Sequence, residues 1–216
     1  MVAVRKRPEN RRERRRTQTR SALLNAAMSL LGERGIHGMR IEDITERADV
    51  GKGVFYNYFA TKEALVAVLV DEGVGLLERD YLRGLNHQSD LRHRIEALAR
   101  AQEAFFRDRP DYALLFHQAR GLLLLGGTRA AGLRRAFADY LAHLSALLPA
   151  EGQSGEWSQD DLLDVAAAVA GAAAGYRSFC VAVARPISLV TLCGALVSGV
   201  PKVLEDRRAA APPTDP

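Results

Sequence analysis

The sequence predicts an all-α protein, in which an N-terminal three-helix, helix-turn-helix domain precedes a larger helical domain. Two observations carry this prediction. Apolar residues recur with helical spacing along most of the chain, whereas sustained alternation and Asn-Gly hairpin signals are missing. With 216 residues, 48% of them hydrophobic, the chain is large enough to bury a substantial core.

The first predicted helix has an apolar stripe that is two to three turns long. Its members are Leu23, Leu24, Ala27, Met28 and Leu31. Either Thr17 or Thr19 is suited to cap its start, and Gly35 is suited to end it.

A second, shorter helix carries Ile41, Ile44 and Ala48 on one face, with Glu42 and Asp43 in its first turn. A turn of about three residues then leads to a third helix. Two short helices joined in this way are typical of a helix-turn-helix unit.

The third helix is predicted over residues 51–59, "GKGVFYNYF". At about 100° per residue, Phe55 and Phe59 share an inner face with Tyr58 at its edge. The outer face then holds Lys52, Gly53, Val54, Tyr56 and Asn57. Glycine here costs about 1 kcal/mol of helix propensity, a cost that close approach of a ligand to the backbone would justify.

The outer face has the chemistry of a nucleic-acid contact. A lysine, a phenol and a helix N-terminus suit phosphate oxygens, an asparagine pairs with an adenine edge, and a valine meets a thymine methyl. The alternative is that Tyr56 and Asn57 are ordinary exposed helix residues.

Basic residues are concentrated at the N-terminus. Residues 1–20 carry nine basic and two acidic side chains, a net charge of +7, whereas the whole chain carries +4. Such arms usually meet nucleic acid and sometimes anionic lipid, although a solubilising tail is the alternative.

Beyond residue 60 the predicted helices are longer, and Pro110 and Pro186 are each suited to begin one. The predicted helices cover residues 62–83, 89–107, 111–124, 128–148, 159–184 and 187–206. Small residues fill 166–175, which favours close helix packing in an interface or bundle core, with a monomeric core helix as the alternative.

Residues 38–65, "GMRIEDITERADVGKGVFYNYFATKEAL", resemble the DNA-binding domain of the tetracycline-repressor (TetR) family. The likeness is specific over 21–69 and one of helical layout elsewhere. It implies a homodimer that binds double-stranded DNA at a palindromic operator, dimerises through its two C-terminal helices, and is released by a small-molecule effector. The expected divisions are a basic arm at 1–18, a DNA-binding domain at 19–66, a ligand-binding and dimerisation domain at 67–208, and a disordered tail at 209–216.

By this resemblance, the third helix enters the major groove. The implied DNA contacts are Lys52, Gly53, Val54, Tyr56, Asn57 and Tyr58, with Lys62 on a phosphate. Arg40 and Gly51, at the starts of the second and third helices, are further candidate DNA contacts. The chain departs from the family at two helix starts. Met39 and Arg40 stand where a hydroxyl residue is usual, and Gly51 stands where Ser is usual.

The resemblance also implies an effector pocket in the C-terminal domain, with the helix from Thr61 to Arg83 as the lever that transmits binding. Candidate lining residues are Phe105, Phe106, His117, Arg120, Phe137, Tyr140, Trp157, Tyr176 and Phe179. Aromatics at helical spacing are more often ordinary core, so that alternative stays open.

Other functions have little support in the sequence. No phosphate loop, nucleophile elbow or paired-carboxylate motif indicates an enzyme, and no histidine spacing indicates a metal; we expect no cofactor. Cys180 and Cys193 favour a reducing cytoplasm, and no apolar run indicates a membrane span. A non-specific nucleoid-type binder, a membrane-surface protein and a regulator without an effector remain the rival interpretations.

Overall fold

The computed structural model describes residues 11–84, 90–125, 130–149 and 157–210, and within these ranges it contains α-helices and no strand. The predicted all-α class is confirmed. The helices are α1 (Arg11–Gly38), α2 (Ile41–Arg47), α3 (Lys52–Tyr56), α4 (Lys62–Gly84), α5 (Leu91–Asp108), α6 (Pro110–Leu125), α7 (Ala131–Leu147), α8 (Gln159–Ala182) and α9 (Leu189–Ala210).

Helix α1 begins at Arg11, so the predicted start at Thr17 or Thr19 is wrong. Arginine is a strong helix former, and Glu13 in the first turn complements the positive end of the helix dipole. Thr17 instead donates its hydroxyl hydrogen to the carbonyl of Glu13, at 3.1 Å. The part of the predicted flexible arm from 11 to 18 is therefore helical, and residues 1–10 lie outside the described ranges.

The predicted stop at Gly35 is confirmed as a break within α1. Gly35 has φ +69° and ψ 172°, a backbone conformation that glycine adopts readily and other residues rarely adopt. The chain changes direction there before the last residues of α1.

The described residues fall into two compact units, and the first contains 11–69, 114–125 and 130–133. Its core includes Leu23, Leu30, Ile44, Phe55, Phe59 and Leu65, joined by Leu115, Phe116 and Ala119 of α6. No sequence pattern indicated that 114–133 would join this unit. The division into 19–66 and 67–208 stays a prediction.

The second unit holds the described residues of 70–113 and those from 134 to 210, and in it α5 packs against α8 and α9. Two buried side chains donate hydrogen bonds to a backbone carbonyl at the C-terminal end of α7. The carbonyl of Leu147 accepts hydrogen bonds from the Tyr81 hydroxyl at 3.2 Å and from Nη1 of Arg94 at 3.0 Å. Burial raises the pKa of Tyr81 to about 12, so the phenol stays protonated as a donor at neutral pH.

The last helix was predicted to begin at residue 187, directly after Pro186, which is two residues early because α9 begins at Leu189. Ser188 is the cap, since its hydroxyl oxygen accepts from the backbone N–H of Thr191 at 3.2 Å. Pro110 does begin α6, as predicted. Helix α9 reaches Ala210, and the rest of the predicted tail lies outside the described ranges.

Helix α8 is long and apolar enough to cross a bilayer by length and composition, which the sequence-based expectation had denied. Core helices of soluble proteins meet the same criterion, and 33% of the apolar window of α8 is buried within the protein. Ser158 caps this helix, because its hydroxyl accepts from the backbone N–H of Asp161 at 3.1 Å.

Candidate DNA-binding surface

Helix α2 begins without a hydroxyl cap. Met39 is 1% exposed and belongs to the core, and the exposed Arg40 takes the N-cap position. The carboxylate of Asp43 accepts the backbone N–H of Arg40 at 3.1 Å, which is one half of a capping box. This bond and the acidic first turn compensate for the missing hydroxyl.

The turn between α2 and α3 is tight and internally bonded. Asp49 adopts φ +54°, and the backbone N–H of Val50 donates to the carbonyl of Thr45 at 3.0 Å. Gly51 is the N-cap of α3, and its carbonyl accepts from Val54 at 2.8 Å. Gly51 therefore takes the N-cap position at which Ser is usual in the family that the sequence resembles.

Helix α3 is shorter than the 51–59 predicted, because it ends at Tyr56. The next residues form hydrogen bonds of the 3₁₀ type, between residues three apart. The backbone N–H of Asn57 donates to the carbonyl of Val54 at 3.1 Å, and that of Tyr58 donates to the carbonyl of Phe55 at 2.9 Å. Asn57 and Tyr58 therefore follow the helix in a turn that continues its direction.

The predicted inner face of this segment is confirmed. Phe55 is fully buried and Phe59 is 4% exposed, with their ring centroids 5.7 Å apart. Tyr56 is 51% exposed, Gly53 and Asn57 are exposed, and Val54 and Tyr58 are half-buried. The outer face thus presents the polar groups that the periodicity placed there.

Gly53 has open space around it. Apart from its chain neighbours and its own helix backbone, a Cβ atom added there would meet no atom of the described residues within 4 Å. Internal packing therefore does not require glycine at this position.

Lys52 of α3 forms an ion pair with Glu42 of α2, and both side chains are more than half exposed. The hydrogen bond from Lys52 holds the pKa of Glu42 below its usual range, and the same bond raises the pKa of Lys52. The pair fixes the lysine ammonium beside the first turn of α2.

Lys62 is oriented by the end of α1. Its ammonium donates to the carbonyls of Ile36 at 2.9 Å and Met39 at 3.0 Å. Two of its three ammonium hydrogens are thereby used within the first unit, and no sequence pattern indicated this role.

The predicted effector-lining residues fall in both units. His117 and Arg120 belong to the first unit, and the other candidates belong to the second. Phe105 and Phe106 are buried with ring centroids 5.2 Å apart. Phe137 and Tyr140 lie 6.5 Å apart, centroid to centroid, and Trp157 is half-buried.

Two candidates do not line an enclosed space in the described chain. Phe179 is 75% exposed, because it lies on the outer face near the end of α8, and His117 is exposed on α6. The hydroxyl of Tyr176 accepts from the backbone N–H of Ser188 at 3.1 Å and so fixes the connection between α8 and α9.

The structure reveals a buried polar cluster that the sequence-based selection missed. Gln102 is fully buried and donates to the hydroxyl of Tyr140 at 2.8 Å, while its Oε1 accepts no bond from any described residue. Next to it in sequence, Glu103 is 7% exposed and pairs with Arg107 at 3.0 Å and Arg177 at 3.6 Å. A polar residue in register with the stripe of Ile95, Leu98 and Ala99 was the available signal.

No group of three or more His, Cys, Asp and Glu side chains is arranged to hold a metal ion within the described ranges.

Residues 23–69 match the family of bacterial regulatory proteins described as tetR. The activator FasR of Mycolicibacterium smegmatis is 35% identical over 113 residues, covering 50% of each chain. The repressor NemR of Escherichia coli is 37% identical over 91 residues, covering 42% of this chain and 39% of NemR. The chain thus matches about half, or less, of the length of these curated relatives.

Solved structures show the same fold at low identity. GusR of Salmonella enterica has a TM-score of 0.65 at 22% identity, covering 87% of this chain and 95% of GusR. FadR of Bacillus subtilis, solved in complex with stearoyl-CoA, has a TM-score of 0.61 at 19% identity, covering 83% and 96%. At such identities the likeness concerns the fold alone.

Proposed function

We propose that the chain, whose residues 23–69 match the tetR family of bacterial regulatory proteins, is a transcriptional regulator whose α3 enters the major groove. The observation that carries the proposal is the outer face of α3. Gly53 stands there in open space, beside the exposed Tyr56, Asn57 and Lys52. Glycine costs a helix about 1 kcal/mol of propensity, and no internal contact of the protein requires it here. Its presence therefore favours a role in contact with a ligand outside the protein.

The proposed contacts divide by chemistry. Lys52, Tyr56, Tyr58 and Arg40 meet phosphates, whereas Asn57 and Val54 meet base edges. Gly51 and Gly53 leave room for the backbone to approach DNA. Lys62 has one ammonium hydrogen beyond its two carbonyl bonds, and that hydrogen would serve a phosphate.

We further propose a homodimer formed through α8 and α9. The exposed positions of α8 include Ala167, Ala168, Gly171 and Ala172, and those of α9 include Gly194 and Ala195. Phe179 and Val190 are 75% and 81% exposed. Small residues next to exposed apolar ones are typical of a surface that another helix pair covers.

The effector site is proposed for the second unit, around Gln102 and Tyr140. A fully buried acceptor that receives no hydrogen bond from the described residues suits a ligand that brings an N–H or O–H group. Phe105, Phe106 and Phe137 would supply the apolar walls. Release from DNA then requires that the effector favour a dimer whose two α3 helices are wrongly spaced.

The deciding experiment is selection of bound DNA from a random pool by the full chain. We expect a palindrome with half-sites about one or more helical turns apart. Tyr56→Phe should weaken binding to the selected site with unchanged helicity.

A non-specific binder is the second candidate function, favoured by the arginines of α1. It would bind the palindrome and random DNA with equal affinity. That result would overturn the regulator proposal.

A further inference from the structure

The N-terminal part of α1 forms one wall of a groove whose other wall is the α2–α3 turn and α3. This groove has a volume of about 860 Å³. Its lining is Arg12, Glu13, Arg15, Arg16 and Thr19 from α1, Asp49 and Val50 from the turn, and Val54, Asn57 and Tyr58 from residues 51–59, here called the recognition segment. All these residues belong to the first unit.

The face of α1 that borders the groove continues the core stripe of the same helix. Steps of three or four residues lead back from Leu23 through Thr19 to Arg16 or Arg15 and on to Arg12. Leu23 is fully buried, whereas residues 11–18 are exposed. The helix therefore extends past its core, with arginines where the apolar residues would otherwise continue.

This overhang, residues 11–18 of α1, lies outside the part of the chain that matches the family, because the match begins at residue 23. Residues 11–18 span about 12 Å as a helix, which corresponds to three or four base-pair steps of DNA. Two residues after this segment of α1, the Arg20 guanidinium lies 5.9 Å from the centroid of the Phe59 ring. Phe59 packs against Phe55 of α3, so the overhang is tied to the recognition segment.

We propose that this groove is a second DNA-binding element, in which Arg12, Arg15 and Arg16 hold backbone phosphates next to the stretch that α3 reads. This inference rests on the proposed DNA-binding function. Charge decides the occupant, because three guanidinium groups outnumber the two carboxylates of Glu13 and Asp49 on the groove. The groove is also continuous with the proposed contacts Val54, Asn57 and Tyr58, so DNA seated on α3 reaches it.

Phosphate contacts position a protein on DNA and carry no sequence information by themselves. The groove should therefore strengthen binding to the selected site and to random duplex by the same factor. It should also steepen the dependence of affinity on salt by about 0.9 per phosphate held.

The test compares two charge-matched double variants of the full chain. Arg12→Gln with Arg16→Gln removes two charges from the groove. Arg11→Gln with Arg14→Gln removes two charges from the same turns at positions that do not belong to the groove lining, and Arg14 lines a different depression with Ser21 and Asn25. Glutamine keeps nearly the helix propensity of arginine, and circular dichroism checks that it does.

Affinity is measured for the selected site and for a random duplex between about 50 and 200 mM salt. For the groove pair we expect the fall in affinity over this range to be about twelvefold smaller than for the parent, which corresponds to two lost phosphate contacts. The control pair should keep the parental salt dependence.

Equal changes in both pairs, or no change in either, would overturn the inference while the regulator proposal stands. So would a groove pair that loses binding to vesicles of anionic phospholipid and keeps its DNA affinity. A parent chain that binds no DNA would overturn both proposals.

Discussion

Oε1 of Gln118 accepts a hydrogen bond from the backbone N–H of Ile36 at 2.6 Å, across 82 residues of sequence. The bond follows directly after Gly35, whose positive φ turns the chain toward the side chain of Gln118. A Cβ at Gly35 would lie 3.0 Å from the amide of Gln118. Gly35 and Gln118 therefore act as a matched pair within the first unit.

We expect Gln118→Ala to lower the free energy of unfolding by about 1–3 kcal/mol, because it removes the partner of a part-buried N–H. Gly35→Ala should cost a similar amount through its left-handed backbone. In a urea double-mutant cycle, the Gly35→Ala cost should be smaller when Gln118 is already Ala, since the contact at 3.0 Å is gone. Strictly additive costs would contradict the pairing.

Gly53→Ala should have opposite effects on stability and binding. The added methyl meets no protein atom, so the free energy of unfolding should rise by up to about 1 kcal/mol. DNA affinity should fall, because the methyl occupies space proposed for the DNA backbone. Gly121→Ala in α6 is the matched control, since a Cβ there also meets no atom within 4 Å. It should leave DNA affinity unchanged.

The recognition segment shows which structural features could be predicted from the sequence. Helical periodicity correctly assigned Phe55 and Phe59 to the core and Tyr56 and Asn57 to the surface, because burial follows local spacing. The length of α3 was overestimated, because periodicity does not distinguish α from 3₁₀ bonding in a last turn.

What the sequence did not predict depends on contacts between distant residues. The Gln118 bond to Ile36 and the Lys62 bonds to Ile36 and Met39 join positions that no local pattern relates. The start of α1 was missed for another reason. The helix propensity of consecutive arginines outweighed the capping signals of Thr17 and Thr19.

Lys62 and Lys52 should respond differently to loss of charge. Lys62→Met removes hydrogen bonds to the carbonyl of Ile36 at the end of α1 and to that of Met39 just beyond it, so we expect the free energy of unfolding to fall by about 1–2 kcal/mol. Lys52→Met breaks an exposed ion pair, so stability should hardly change while DNA affinity falls. Chemical denaturation and DNA titration of both variants check this, and equal stability losses would contradict the capping role.

Acid should weaken the contact between α1 and α2 through Glu33. Arg47 donates to this carboxylate from Nη2 at 3.0 Å, and the hydrogen bond from Arg47 holds the pKa of Glu33 below its usual range. A lowered folded-state pKa stabilises the protein above the unfolded value, near 4.5, and this stabilisation is lost as the pH falls through the folded-state pKa. Glu33→Gln should therefore flatten the fall in stability below about pH 4.5, whereas Glu46→Gln, an exposed control on α2, should not.

The proposed dimer face gives the last prediction. Ala168 is exposed on α8, where an arginine would be tolerated by an isolated chain but would hold a helix pair apart. We expect Ala168→Arg to sediment as a monomer, to keep its helicity, and to bind the palindrome more weakly, because the second half-site is no longer held by the same molecule. Ala138→Arg places the same charge on an exposed position of α7 and should stay dimeric. If Ala168→Arg remained dimeric, the interface would have to lie elsewhere than on this face of α8.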